Sequence, residues 1–200
     1  MKKKYELTEE TETLADGTVL HRIRAVMDFT LVDGTMIYAG DLGGWIEKED
    51  NLSHNGEAWV GDDAQVFEDV RVYEKALVHG KAQVFGEARV YEEASVYDKA
   101  QVFGEVQVYG EASVYDKAMV SDNACVFDKA RVFGSAWVGN EAQVFGETLV
   151  YGKTWVYGEA RVFGKAEVYE EAQVFGKALV YGDVRVCGEA RVHERAQVFS

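Results

Sequence analysis

Four histidines and two cysteines have side chains suited to general-base or metal chemistry: His21, His54, His79, His193, Cys125 and Cys187. A histidine acts as a general base only when it lies within hydrogen-bond reach of the hydroxyl or amine that it deprotonates. A zinc site needs three or four ligands that converge on one point. Whether any of these residues performs such chemistry depends on the repeat in which most of them lie.

The elements that must position these residues come from a six-residue unit, which repeats 24 times from Ala58 to the last residue without insertion or proline. The unit reads Ala-x-Val-aromatic-(Gly/Asp/Glu)-(Glu/Lys), and valine fills its third place every time. Recurrence at so short a period predicts a solenoid of stacked coils. Alanine and valine share one face of a short strand, the second and fourth places face outward, and the fifth place favours a turn. A helix is excluded because the apolar period does not match it.

The first 57 residues differ from the repeat. Asp16-Gly17 and Asp33-Gly34 are hairpin signals that separate short apolar-containing runs. We therefore predict a small antiparallel β cap over residues 1–45 and a β-solenoid over residues 46–200.

The frame of the repeat extends back into this N-terminal part. Ile46 and Leu52 fall in the alanine frame by spacing, so coiling is expected to start near Trp45. His54 falls in the valine frame of an imperfect unit, which predicts a satisfied residue of the first coil.

The N-terminal part contains the segments Arg22–Phe29, Gly43–Ile46, Asn51–Ser53 and Gly56–Val60. These segments resemble the corresponding region of the YdcK-like bacterial proteins. With the hexapeptide repeat, the likeness spans nearly the whole chain. It implies an all-β, left-handed parallel β-helix of the trimeric LpxA-like superfamily, with three units per coil and about eight 18-residue coils. It also implies a CoA-dependent acyltransferase, because the family is commonly labelled so by fold analogy.

The residues favour a non-catalytic protein over that acyltransferase. Enzymes with this repeat typically place a base histidine near a groove between subunits, often beside a loop, and no loop interrupts these 24 units. His79 and His193 take the aromatic place of their units, where an imidazole that replaces a ring is the plainer interpretation. We expect no catalytic residue, with His79 as the weak candidate, and no cofactor, with acetyl-CoA as the alternative.

Metal binding is not expected either. The related γ-class carbonic anhydrases gather three histidines, whereas no two histidines of this chain share a stacked column. Cys125 and Cys187 lie more than three coils apart, roughly 16 Å along the axis, which is too far for a disulfide. Unpaired thiols favour a reducing compartment, and the sequence has neither a signal peptide nor an apolar membrane span, so a cytoplasmic protein is predicted.

Residues 18 apart stack into outward columns, and one corner column is aromatic in every coil. Arginines occur on the face that leads to it. The candidate binding residues here are Arg71, Arg89, Tyr109, Phe127, Phe145 and Arg161. Exterior ring stacking is the plainer role of this column, although a long apolar strip often marks a contact surface.

A second corner column loses its rings at Ser121 and Gly139. On the adjoining face, Met119, Trp137 and Trp155 replace the glutamines of other coils. Such a central Met-Trp-Trp patch is typical of a protein contact site. The alternative is that an indole covers the space of a missing ring, as expected for Trp59 beside Gly61.

The formal net charge of -14 argues against binding a phosphate backbone or an anionic membrane. Acidity favours solubility, and mimicry of nucleic acid toward a DNA-binding protein is the alternative. The charges also stack by sign in two corner columns: Lys81, Lys99, Lys117 and Lys153 in one, and Asp69, Glu87, Glu105, Glu141 and Glu159 in the other. They would give neighbouring molecules complementary edges. Because the repeat runs to Ser200 without a cap, either two rods meet end to end or residues have been removed.

These observations favour a non-catalytic scaffold, a homo-oligomeric or protein-binding rod. The acyltransferase and the acidic nucleic-acid mimic stay open as alternatives.

Overall fold

The structure, a computed structural model that describes residues 3–200, is a three-sided solenoid of short parallel strands. Each coil adds one strand to each of three sheets, and residues 18 apart pair in register, as Val84 does with Val102. The prediction of an all-β solenoid with parallel coils of about 18 residues and a small N-terminal antiparallel sheet is confirmed. The left-handed wind and the domain boundary after residue 45 stay predictions.

We name the three sheets faces 1, 2 and 3. The N-terminal elements are β1 (Tyr5–Thr13), β2 (Val19–Ala25), β3 (Phe29–Thr30), β4 (Met36–Ile37), β5 (Leu42–Ile46) and a 3-10 helix (Glu49–Asn51). Face 1 continues from β1, β2 and β5 through β7 (Gln65–Val66), β10 (Gln83–Gly86), β13 (Gln101–Gly104), β16 (Met119–Val120), β19 (Trp137–Val138), β22 (Trp155–Val156), β25 (Gln173–Val174) and β28 (Arg191–Val192).

The other two faces consist of repeat strands alone. Face 2 contains β8 (Arg71–Val72), β11 (Arg89–Val90), β14 (Gln107–Val108), β17 (Cys125–Val126), β20 (Gln143–Val144), β23 (Arg161–Val162), β26 (Leu179–Tyr181) and β29 (Gln197–Phe199). Face 3 contains β6 (Trp59–Val60), β9 (Leu77–Val78), β12 (Ser95–Val96), β15 (Ser113–Val114), β18 (Arg131–Val132), β21 (Leu149–Val150), β24 (Glu167–Val168) and β27 (Arg185–Val186).

The interior is a column of valines and alanines along the whole rod. The third-place valines from Val60 to Val180 are at most 1% exposed. Backbone N–H groups donate to carbonyls of the next coil, as Arg71 does to Ala88 at 3.0 Å. Thr148 fits in the alanine column because its hydroxyl donates to the carbonyl of Phe145 at 2.6 Å. The coils are therefore held by backbone ladders and by apolar burial together.

The first coil is longer than the others, which corrects the expected frame. Ile46 pairs with Val66 and Leu52 bridges Val72, so both take the valine place, and the prediction that they fall in the alanine place is wrong. The two residues of each pair lie two positions further apart in the sequence than paired residues of later coils. The extra residues lie between Leu52 and Ala58, and the valine place predicted for His54 is therefore wrong as well.

The segment Gly43–Ile46 is glycine-rich because the chain passes close to its neighbours. A Cβ added to Gly44 would lie 2.7 Å from the carbonyl oxygen of Ala64 and 2.8 Å from Cγ1 of Val60. A Cβ added to Gly43 would lie 2.6 Å from Cγ1 of Ile23. Only glycine fits where β5 passes between the antiparallel strands and the first coils.

The corners explain why acids accompany glycine at the fifth place. Eleven residues other than glycine have φ between 53° and 63°, and all of them occupy this place. Many of their side chains accept the backbone N–H of the equivalent residue one coil later. Glu68 accepts from Gly86 at 2.6 Å, and Glu92 accepts from Gly110 at 2.7 Å. The bond offsets the strain of a left-handed conformation, so part of the acidity of this chain is structural.

A pair of substitutions at Glu92 separates these two effects. Glu92→Ala loses the bond to Gly110 and keeps a Cβ at positive φ, so we expect a loss of about 1 kcal/mol in the free energy of unfolding. Glu92→Gly loses the same bond but relieves about 1 kcal/mol of strain and should stay close to wild type. Thermal unfolding followed by circular dichroism measures both variants. Equal losses in the two would contradict this account.

Lys4 is a buried lysine at the junction of the antiparallel sheet and the first coil. Its Nζ donates to the carbonyl of Ala58 at 2.6 Å and lies 5.5 Å from the ring centroid of Phe29. Burial lowers the pKa of Lys4 to about 8, and Glu57 partly opposes the shift. The folded protein therefore loses this proton at a lower pH than the unfolded chain does.

This pKa shift predicts a pH dependence of stability. Between pH 8 and pH 9.5 the unfolded chain binds more protons at Lys4 than the folded protein, so Lys4 contributes a rise in the unfolding free energy of about 1 kcal/mol per pH unit, on top of the slope set by the other groups. Lys4→Met should lack that rise, whereas the surface variant Lys75→Met should keep it. Urea unfolding at several pH values tests this, and equal slopes in wild type and Lys4→Met would refute it.

Candidate protein-binding face

The outer column of face 1 is polar over its first three repeat coils. The amide of Gln101 donates to the side chain of Gln83 at 3.0 Å, and that of Gln83 donates to Gln65 at 2.8 Å. Gln65 in turn donates to the carboxylate of Glu12 on β1 at 3.1 Å. Identical amides stack in this way because the coils are in register, and the ladder ends where Met119 follows Gln101.

In the next coils, Trp137 occupies the space left by missing corner rings. Its indole N–H donates to Oγ of Ser121 at 2.9 Å. A Cβ added to Gly139 would collide with Cζ2 of Trp137, so the indole lies directly over this glycine. The ring also stacks against Tyr157, with centroids 5.8 Å apart. Ser121 and Gly139 therefore make room for the indole of Trp137, and this packing holds a large aromatic ring on face 1.

Met119 and Trp155 lie on either side of Trp137 and are left exposed. Met119 is 37% exposed and Trp155 is 48% exposed. The Trp155 ring meets Trp137 edge to face at 5.9 Å. We call Met119, Trp137 and Trp155 the apolar patch. The structure thus brings together five of the predicted binding residues, the patch with Ser121 and Gly139.

The other predicted binding residues lie on face 2 and its corner. Tyr109, Phe127 and Phe145 belong to a ladder of parallel rings with centroids 4.7–5.2 Å apart. The Arg161 guanidinium lies over Phe145 at 5.3 Å. Burial raises the pKa of Tyr109, and it raises that of Tyr91 to about 12, so these phenols stay neutral at physiological pH. This corner shows the predicted ring stacking, and Tyr109, Phe127 and Phe145 are each less exposed than Met119 and Trp155.

Arg71 and Arg89 lie at the first coils of face 2, beside the start of that ladder at Tyr73. Both are exposed, and with Glu49, Asp50 and Tyr73 they line a groove of about 630 Å³. His54 lies at the same groove, and its ring stacks on Tyr5 with centroids 4.3 Å apart. Burial lowers the pKa of His54, which favours the neutral imidazole. The sequence placed the arginines in one column but gave no signal for this groove.

His79, the weak candidate for a base, lies at a corner between faces 3 and 1. Its imidazole stacks on Tyr97 with centroids 5.0 Å apart, the first step of a third ring ladder that the sequence reasoning did not single out. Nδ1 lies 3.8 Å from a carboxylate oxygen of Asp62, beyond hydrogen-bond distance. A cavity of about 280 Å³ adjoins it, lined by Leu31, Ile37 and Trp59 among others. Whether His79 acts as a base stays a prediction.

The remaining chemistry-bearing residues do not form a site in the part of the chain that the structure covers. Among residues 3–200, no group of three or more His, Cys, Asp or Glu residues is placed to hold a metal ion. Cys125 and Cys187 are both free thiols, and burial raises the pKa of Cys125. No helix in that range is long and apolar enough to cross a membrane.

No protein-family model matches the chain, and no curated protein matches it.

The packing of Trp137 over Gly139 predicts a thermodynamic coupling. Gly139→Phe alone should collide with the indole and cost about 3 kcal/mol, because overpacking forces strained rotamers. Trp137→Gln/Gly139→Phe restores the glutamine and ring of ordinary coils and should cost less than the sum of the single variants. A double-mutant cycle of thermal unfolding measures the coupling. Additive losses would show that the two positions do not share one space.

Proposed function

We propose that this protein is a non-catalytic scaffold, a stiff rod that binds protein through face 1. The apolar patch carries this proposal. Met119 and Trp155 are large, exposed and central on a face that is otherwise polar, and Trp137 packs against Trp155 from the side. Tryptophan and methionine are enriched at protein contacts, where a packed aromatic anchor contributes most of the affinity.

The rod itself supports the role of a scaffold. Its strands repeat in register along three faces, and nearly every third-place valine is inaccessible to solvent. Such a solenoid presents outward side chains at fixed spacings along a straight surface. The two free thiols support a reducing compartment and hence a cytoplasmic scaffold.

The acidic nucleic-acid mimic is supported less well. Carboxylates at the fifth place are engaged with backbone N–H groups, as Glu68 and Glu92 show, so they stabilise corners. Other acids pair with lysines one coil away, such as Glu93 with Lys75 at 2.9 Å. Free acids such as Glu87 and Glu105 are accompanied across face 1 by Lys81 and Lys99, whereas a phosphate mimic would need an acidic surface without such cations.

The acyltransferase is the second candidate, favoured by the cavity of about 280 Å³ beside His79 and Asp62. Acetyl-CoA would be its cofactor. Calorimetry with acetyl-CoA tests it: the scaffold proposal expects no saturable heat. Binding that His79→Ala abolishes would replace the scaffold with the enzyme.

The patch predicts a loss of protein contacts on substitution. Met119→Gln/Trp155→Gln continues the glutamine column of the neighbouring coils and should weaken the contact by about 10- to 100-fold. The control Leu149→Gln/Leu179→Gln makes the same change on faces 3 and 2. Sedimentation equilibrium measures self-association, and partners that co-purify from the source cells are identified by mass spectrometry. If the patch variant kept both its self-association and every identified partner, the patch would not be a contact surface.

A further inference from the structure

Face 1 is bordered by two columns of opposite charge. The sixth place of the repeat forms the corner on each side of a strand. Before the face 1 strands this place holds Lys81, Lys99, Lys117 and Lys153, which we call the lysine border. After the same strands it holds Glu87, Glu105, Glu141 and Glu159, which we call the acidic border. All of these side chains are exposed.

The two borders are matched coil by coil. In three coils a lysine on the first border accompanies a glutamate on the second: Lys81 with Glu87, Lys99 with Glu105, and Lys153 with Glu159. In the last two coils both signs reverse together, giving Glu171 with Lys177 and Glu189 with Arg195. The remaining middle coils combine one charge with a neutral residue, Lys117 with Asn123 and Ser135 with Glu141. A reversal on one border is thus accompanied by a reversal on the other.

One coil breaks the rule, and its charges are already neutralised. Asp63 and Asp69 are the border residues of the coil that contains β7. A guanidinium nitrogen of Arg22 lies 3.5 Å from a carboxylate oxygen of Asp63. The Nζ of Lys48 lies 2.7 Å from a carboxylate oxygen of Asp69. Both cations come from the N-terminal segment, so this coil presents no uncompensated acid on either border.

Within one chain the border charges repel one another. Lys81, Lys99 and Lys117 stack at the spacing of neighbouring strands, and none of the ion pairs within 4.0 Å found in residues 3–200 includes them. The same holds there for Glu87, Glu105 and Glu141. Where the signs reverse, the charges pair within the chain: Lys153 lies 3.1 Å from Glu171, and Lys177 lies 2.9 Å from Glu159. The unpaired border charges are therefore those of the earlier coils. Asp98 and Asp116 line a groove with the lysines but are not in those ion pairs. Like charges at strand spacing are destabilising, so an external partner of opposite sign would relieve both columns.

The third corner, between faces 2 and 3, neutralises its charges internally. There Lys75 pairs with Glu93 at 2.9 Å, Lys129 with Glu111 at 3.5 Å, and Lys165 with Glu147 at 3.6 Å. The sign alternates along this corner except between Glu93 and Glu111, in contrast to the borders of face 1 over Lys81–Lys117 and Glu87–Glu105. The segregation of charge is therefore specific to face 1 and not a general property of the repeat.

A rotation determines which charges would meet. If a second rod faces the first on face 1, related by a two-fold axis parallel to the rods, its lysine border lies against the acidic border of the first. The rotation involves no shift along the rod, so each coil meets its own copy and Lys99 meets Glu105. An antiparallel pair would instead place the lysine border of one rod against the lysine border of the other, with the order of the coils reversed.

We propose that a second copy of this chain binds face 1, parallel and in register, about a two-fold axis parallel to the rod. The five matched coils then form ion pairs on both borders, and the apolar patch of one copy meets the patch of the other. Facing sheets lie about 10 Å apart, a gap that methionine and tryptophan side chains fill. This inference rests on the proposed function, because it assigns a partner, a second copy of the chain, to the apolar patch.

The other faces do not offer the same match. Face 2 has glutamates on both borders in three coils, where Glu87, Glu105 and Glu141 accompany Glu93, Glu111 and Glu147. Face 3 has opposite charges in four coils but like charges in three, where Glu57 accompanies Asp63, Lys75 accompanies Lys81, and Asp183 accompanies Glu189. A parallel pair through either face would bring like charges together in those coils.

Charge exchange tests the borders. Lys81→Glu/Lys99→Glu and Glu87→Lys/Glu105→Lys should each raise the dissociation constant of the pair by on the order of 100-fold, because the contacts of two matched coils become repulsions on both borders. An equimolar mixture of the two variants should restore a one-to-one pair, which an odd-numbered ring cannot do. The control Lys75→Glu/Lys129→Glu changes the net charge equally at the third corner and should pair like wild type. Sedimentation velocity at low salt gives all four results, and circular dichroism confirms that each variant is folded.

Cross-linking tests direction and register. A carbodiimide joins a lysine amine to a nearby carboxylate without a spacer, and a mixture of ¹⁴N- and ¹⁵N-labelled protein identifies links between copies. Links such as Lys99 to Glu105 support the proposal, whereas links of Lys81 to Glu171, which lies on the same border, would show an antiparallel pair and overturn it. A wild-type monomer at about 100 μM, a three-copy ring, or border variants that pair normally would also overturn it. A monomer whose patch variant loses another identified partner would leave the scaffold function standing.

Discussion

The in-register stacking of coils is the constraint on which the rest of this molecule depends. A strand of two residues has no stability of its own, so each coil is held by hydrogen bonds and valines of the coils above and below it. Because the register is 18 residues everywhere after the first coil, whatever occupies one place is repeated beside an equivalent side chain at strand spacing. Ring ladders, amide ladders and columns of like charge are all consequences of that one register.

The departures from the repeat therefore carry most of the functional information. An ordinary coil of face 1 needs a glutamine outside and a ring at the corner, and three successive coils abandon this pattern. Ser121 and Gly139 remove rings, Trp137 fills the space, and the exposed Met119 and Trp155 remain beside it. A rod that needed only solubility would have no reason to replace a hydrogen-bonded glutamine with an exposed tryptophan. The alternative explanation, an indole that covers a missing ring, accounts for Trp137 but not for Trp155.

The sequence was sufficient for the repeat but not for the start of the rod. Strict valine recurrence predicts the strands, the corners and the columns, because a period of six places the same side chains on the same faces. The predicted frame was wrong for the first coil, because two additional residues lie between Leu52 and Ala58. The pairing of Ile46 with Val66 in the structure shows this shift of the frame. The role of fifth-place acids was also invisible, because their partners are backbone N–H groups one coil away. At the site, spacing alone brought Ser121, Gly139 and Trp137 together, whereas the exposure of Trp155 depends on how its neighbour packs.

The same register also ties the two borders of face 1 together. The border residues of one coil are six residues apart in sequence and lie on opposite sides of one strand, so nothing within the chain couples their charges. Stability of the isolated rod would favour alternation of sign along each border, as at the third corner, where Lys75, Lys129 and Lys165 all have partners. Instead, one border has no acid from Lys81 to Lys153, and the other has no cation from Glu87 to Glu159. Both borders then change sign in the same coil, at Glu171 and Lys177. A rotation that exchanges the borders is the simplest physical condition under which such a pattern lowers the energy, because it turns two repulsive columns into one attractive pair.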